Sequence, residues 1–151
     1  MRYIATICGL LALATGGAAQ AQQFTFEATA NKATTVGAPA PDGTPVQGAY
    51  WTGTSVVTWP DGKKTTDSYS CISTTQPRNA KIFDNHTICD AKGPAGSYSS
   101  TWGCTMIAAM PGAMGCVGGL TGTSGMYAGK GGTITFAGKT GSGKGTGQWG
   151  M

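Results

Sequence analysis

Ala49-Tyr50-Trp51-Thr52-Gly53-Thr54-Ser55-Val56-Val57-Thr58-Trp59 is the stretch on which the fold turns. Trp51, Val57 and Trp59 share one face with Gly53 and Ser55, while Tyr50, Thr52, Thr54, Val56 and Thr58 share the other. That alternation is what a half-buried β-strand needs. Pro60-Asp61-Gly62-Lys63 then turns the chain back, since Pro presets the turn and Gly accepts a left-handed backbone. The returning segment, Lys64 to Ile72, places Tyr69 and Cys71 on one side and Ser68, Ser70 and Ile72 on the other, completing an antiparallel hairpin.

The same pattern extends in both directions. Upstream, Phe24 to Ala28 alternates, and Gly37 to Gly48, with Pro39, Pro41, Pro45 and Asp42-Gly43, reads as a loop. Downstream, a loop around Pro77-Arg78-Asn79 leads to a strand at Lys81-Ile82-Phe83, and Asn85 opens a turn before His86 to Asp90, a second hairpin. Tyr98, Ser100, Trp102, Cys104 and Met106 fall on one face of a strand ending near Pro111-Gly112, and Ala113 to Leu120 returns. Beyond it, 13 of the 33 residues from 118 to 150 are glycine. Met126-Tyr127-Ala128, Thr133 to Phe136 and Trp149 are too apolar to leave in a solvated linker, so this tail reads as strands with Gly at bends and bulges. No segment shows a 3.6-residue period. About eight short antiparallel strands in sequential hairpins predict an all-β fold, a small antiparallel β-barrel closed on itself, because closure removes exposed edges. A β-sandwich is the alternative.

The N-terminus predicts export. Met1-Arg2 is positively charged, Tyr3 to Thr15 is an apolar stretch of signal-peptide length, and Ala19-Gln20-Ala21 is a small-x-small cleavage site. Residues 1–21 are thus read as a signal peptide and 22–151 as a single barrel domain starting at Gln22, periplasmic or secreted. Cleavage removes Cys8 and leaves Cys71, Cys89, Cys104 and Cys116, an even number for an oxidising compartment. The turn at Pro111-Gly112 sets Cys104 opposite Cys116, which leaves Cys71 for Cys89. A zinc site is the rival reading, but no C-x-x-C pair exists and His86 is the lone histidine. The net charge of +4 for the whole chain falls to +3 once Arg2 leaves, with no basic cluster longer than Lys63-Lys64, which excludes a basic nucleic-acid binder. After the signal no apolar run approaches the 18 or so residues of a membrane-spanning helix.

Gly118-Gly119-Leu120-Thr121-Gly122-Thr123-Ser124-Gly125-Met126-Tyr127-Ala128-Gly129, followed by Gly131-Gly132-Thr133, resembles the GGTGKYAGITGSGT hallmark of bacterial proteins similar to the allene oxide cyclase barrel. Trp102 precedes this segment, and Cys71 and Cys89 lie upstream, as in that family. The resemblance implies a lipocalin-like barrel whose lumen can hold an apolar molecule, and an isomerase or cyclase activity carried out in that lumen. No motif places Glu27, the one glutamate, at a catalytic position.

Other motifs dissolve on inspection. Gly138-Lys139-Thr140-Gly141-Ser142-Gly143-Lys144-Gly145 nearly matches a phosphate-binding P-loop, but Gly145 stands where the Mg²⁺-binding hydroxyl belongs and no helix can follow, so it reads as a turn between two strands. His86, beside Asp84 and Asp90, reads as a turn or surface residue, and no G-x-S-x-G elbow exists. Asp42 and Asp61 precede Gly in turns, which accounts for them. Asn85-His86-Thr87 fits a glycosylation sequon. No catalytic residue, metal site or cofactor is assigned. Trp51, Trp59, Tyr69, Trp102 and Tyr127 are the candidate ligand-lining residues; equally, they could form a solid core. The expected function is an exported barrel binding a small apolar molecule or an envelope partner, with a lumenal isomerase or a structural or adhesive module as alternatives. A deep cavity with Glu27 or Asp67 pointing inward favours the enzyme, and a filled interior counts against enzyme and lumen binding alike.

Overall fold

Strands follow one another through the described residues. The computed structural model describes residues 21–76, 82–139 and 141–150. Its strands are β1 Gln22–Ala30, β2 Thr34–Gly37, β3 Gln47–Thr58, β4 Lys64–Thr75, β5 Asn85–Gly93, β6 Gly96–Met106, β7 Ala113–Gly125, β8 Gly131–Lys139 and β9 Ser142–Trp149, with no helix among the described residues. From β3 to β9 each strand pairs antiparallel with the next, and β1 bonds to β9 on one side and β3 on the other. The sheet therefore closes as an eight-stranded barrel, with β2 as one extra strand.

β2 prolongs β1 along the same edge of β3. β1 runs in register from Thr25↔Thr58 to Ala30↔Gly53, and β2 resumes at Thr34↔Tyr50, one residue out of step. Asn31 still donates its backbone N–H to the Thr52 carbonyl at 2.8 Å, so the slip falls just after it as a bulge. β9 begins only at Ser142, opposite Thr29, so β2 passes beyond the barrel rim.

Two strand expectations fail for identifiable reasons. Ile82 and Phe83 are irregular, and β5 pairs directly with β4. The Phe83 ring lies over Gly103 and meets His86 edge-on at 5.6 Å, while Asp84 donates its N–H to Cys104 and accepts from the Met106 N–H, both at 2.8 Å. Asn85 and His86, read as a turn, accordingly form the start of β5. Met126-Tyr127-Ala128 is loop, since Tyr127 is buried by folding inward from a connection. Residues 1–20, the loop at Pro77-Arg78-Asn79, and Lys81 lie outside the described residues.

Following the strand directions, the turn at Trp59–Lys63, the Pro94-Ala95 turn, the Met126–Lys130 loop and Trp149 share one end of the barrel. The main core sits there: Phe24, Phe26, Val57, Trp59, Leu120, Tyr127, Ile134 and Trp149, with Tyr98, Trp102 and Phe136 packed against it. Glycine makes this possible. The inward positions of β9 are Gly143, Gly145, Gly147 and Trp149, and a Cβ on the three glycines would overlap the rings of Phe136, Phe26 and Phe24 respectively. A ring from a neighbouring strand occupies the space beside each glycine, filling a narrow barrel that side chains on every strand would overfill.

Gly147 gives a clean test, because the three atoms nearest to where its Cβ would stand all belong to the Phe24 ring. Gly147→Ala is expected to lose about 1–3 kcal/mol by overpacking. Added to Phe24→Leu, whose shorter side chain vacates that space, the same change is expected to lose clearly less. Equal penalties in both backgrounds, measured by urea unfolding, would show that the ring does not occupy the glycine's face.

Candidate functional site: a stoppered lumen and an outer groove

The barrel's interior ends in a stopper. Tyr127 reaches in from the β7–β8 loop, is 2 % exposed, stacks on Trp149 at 4.7 Å between ring centroids and lies against Trp59 at 6.5 Å. Tyr98 meets both Tyr127 and Trp149 edge-on, at 5.3 and 5.5 Å. The glycine-rich segment builds this loop. Gly122 passes so close to the Tyr127 backbone that a Cβ would overlap it, and Gly125 and Gly129 adopt φ of 62° and 74°.

The five candidate ligand residues therefore separate. Trp59 and Tyr127 are buried core. Trp102 packs on that core, remains partly exposed and donates its indole N–H to Ser100 at 2.8 Å. Tyr69 is half-buried over Gly53, and Trp51 is half-buried opposite Cys71. Trp59 and Tyr127 touch, but no ring contact joins Trp51 or Tyr69 to them among the described residues. Both disulfides, Cys71–Cys89 and Cys104–Cys116, link directly opposed residues of adjacent strands with Cα atoms 4.1 Å apart. Their sulfurs share the inward face.

Of the two carboxylates considered for the interior, Asp67 points inward and Glu27 outward. Glu27 meets Lys144 at 3.0 Å on the surface, a pair too solvated to contribute much. Asp67 is 1 % exposed. It occupies the face of Gly93 that a Cβ would fill, and its Oδ2 accepts the Tyr98 hydroxyl at 3.2 Å while Oδ1 has no partner. Burial raises the Asp67 pKa, and the Tyr98 hydrogen bond pulls it only partly back. Burial, with the nearby Asp67 charge, also raises Tyr98, and pushes Tyr127 up to about 12, so both phenols stay protonated at neutral pH.

A carboxyl whose folded pKa is raised contributes most stability below its ordinary value of 3.8, and that contribution is lost as pH climbs through the folded value. Asp67→Asn keeps the shape without the charge. It is expected to match the parent protein at pH 3.5 and to exceed it in urea unfolding at pH 7; a pH-independent difference would show that Asp67 ionises freely.

The barrel's outer wall offers a second environment. An open groove of about 690 Å³ crosses β3 to β7. Its outward side chains form two lateral rows, Ser70–Asp90–Ser99 and Ser68–Lys92–Ser97, set by the β4–β5 and β5–β6 register. Thr52 extends the first row, and a register shift between Ser97 and Tyr98 brings Thr123 to the rim. The next row along the strands is Tyr50–Ile72–Ile88, 49 %, 61 % and 60 % exposed. Sequence reasoning did not find this wall, because only pairing register sets these residues side by side. Compared with known proteins, the chain matches no family model, no curated protein and no solved structure.

Proposed function

We propose that the protein is exported and works as a disulfide-stapled binding module through the outer wall of its barrel. The observation that carries this reading is the Trp59–Tyr127–Trp149 stack, which fills the lumen end where a carrier would hold an apolar ligand. The exposed row Tyr50–Ile72–Ile88 supports it, because adjacent bulky apolar side chains left in water on a sheet face mark a contact surface. Export is supported by the signal-like N-terminus and by the two disulfides, which persist in oxidising compartments.

Protein recovered from the source cell's envelope or medium is expected to begin at Gln22. It is also expected to co-sediment with the envelope fraction, and Ile72→Lys with Ile88→Lys to reduce that binding at least tenfold. These exposed positions tolerate Lys without unfolding. Retention of binding by the double variant would overturn the outer-wall reading.

One observation favours a second reading. The resemblance to the allene oxide cyclase barrel implies chemistry in the lumen, and buried Asp67 with its Tyr98 partner is an acid placed there. Loss of an isomerase activity in Asp67→Asn, with stability retained, would support it over surface binding.

A further inference from the structure

We infer that the groove on the outer wall is a glycan site, taking an uncharged, polyhydroxylated chain; this rests on the outer-wall binding reading above. The groove's side chains supply the reason. β4 and β6 contribute four short hydroxyls, Ser68, Ser70, Ser97 and Ser99, at outward positions where β-branched residues ordinarily pack better. Between them β5 raises one carboxylate, Asp90, and one ammonium, Lys92, two residues apart and both exposed. The opposite charges cancel, so the groove selects neither anion nor cation. What remains is a dense field of donors and acceptors spaced about 5 Å across strands and about 7 Å along them.

A vicinal diol fits that field. Asp90 accepts a hydroxyl donor at the oxygen Ser99 leaves open, Lys92 donates to ring or hydroxyl oxygens, Ser70 and Ser97 do either, and Ser68 and Ser99, whose protons go to the Lys92 carbonyl and to Asp90, accept. Asp90 already accepts the Ser99 hydroxyl, which orients the carboxylate across the row. The adjoining Tyr50–Ile72–Ile88 row supplies the apolar half of the site, an aromatic face and two aliphatic chains against the C–H face of a sugar ring. A flat apolar protein partner would leave the hydroxyl rows unmatched, and a nucleic acid would find no net positive charge in the groove to pair with its phosphates.

The test is affinity electrophoresis of the disulfide-intact protein, expressed from the 151-residue sequence, through gels containing dextran, glucomannan or soluble starch. Retardation by at least one polymer is expected, and abolition after periodate has cleaved that polymer's vicinal diols. Asp90→Asn, nearly isosteric, and Tyr50→Ala are each expected to weaken binding about tenfold, while Thr146→Ala on the opposite wall leaves it unchanged. Absence of retardation in every gel, or unchanged binding by Asp90→Asn, overturns the glycan site. Envelope binding that survives periodate but is lost in the Ile72→Lys, Ile88→Lys variant defeats the glycan inference alone; envelope binding that survives the lysine changes defeats the outer-wall reading beneath it.

Discussion

Trp149→Ala is expected to lose about 3–5 kcal/mol of folding stability, the range for emptying a fully buried tryptophan site. Trp149 is 2 % exposed, stacks on Tyr127 and takes the edge of Tyr98. It also ends β9 at the seam where the barrel closes, paired with Gln22 on one side and Gly132 on the other. Neither neighbour can refill the space, because β8 offers glycine there and the loop carrying Tyr127 is fixed by Gly122, Gly125 and Gly129. A domain of this size has about 5–15 kcal/mol in total, so the variant should unfold at much lower urea. Trp102→Ala, at a partly exposed position, is expected to lose less. A loss below about 1.5 kcal/mol for Trp149→Ala would mean that this end of the lumen is loosely packed, and would return weight to a ligand held inside.

The contrast between these tryptophans shows where sequence reasoning was strong. Ala49 to Trp59 announced its strand because its inward positions alternate cleanly with hydroxyls, and its hairpin partner placed Cys71 inward. The Cys104–Cys116 pairing followed from one turn. β9 was nearly silent, because its inward positions are Gly143, Gly145 and Gly147, and their apolar cover comes from Phe136, Phe26 and Phe24 on other strands. A hydrophobic pattern cannot register side chains lent across the sheet. Tyr127 misled for a related reason: an apolar residue between glycines looks like a strand, yet here it is a stopper lowered from a loop.

The candidate site was less legible than the fold. Asp67 shares its strand face with Tyr69 and Cys71, so its inward direction was readable, but its burial needs Gly93 on the neighbouring strand to leave room. The outer rows Ser70–Asp90–Ser99 and Ser68–Lys92–Ser97 each draw one residue from β4, β5 and β6, and only the register of three strands assembles them. Along the chain, those same serines are indistinguishable from a solvated sheet face.

Loss of both disulfides is expected to have the largest effect of all. Cys71–Cys89 and Cys104–Cys116 close loops with sequence separations of 18 and 12 residues. In the chain-entropy treatment each contributes about 3 kcal/mol by restricting the unfolded chain. The two loops do not overlap, so their contributions add to about 6 kcal/mol, comparable with the whole stability of a small domain. Each crosslink joins strands already paired in a hairpin, so the native barrel does not need it for topology; the unfolded chain is what it penalises. Replacing Cys71 and Cys89 by alanine is therefore expected to shift urea unfolding by about 3 kcal/mol, replacing Cys104 and Cys116 by a similar amount, and replacing all four to leave a barrel that is marginal or unfolded at 37 °C. Near-UV circular dichroism in the presence and absence of reductant reads the same outcome on the unaltered protein. If each pair contributes under 1 kcal/mol, the fold does not depend on an oxidising compartment, and the physical support that the disulfides lend to export disappears.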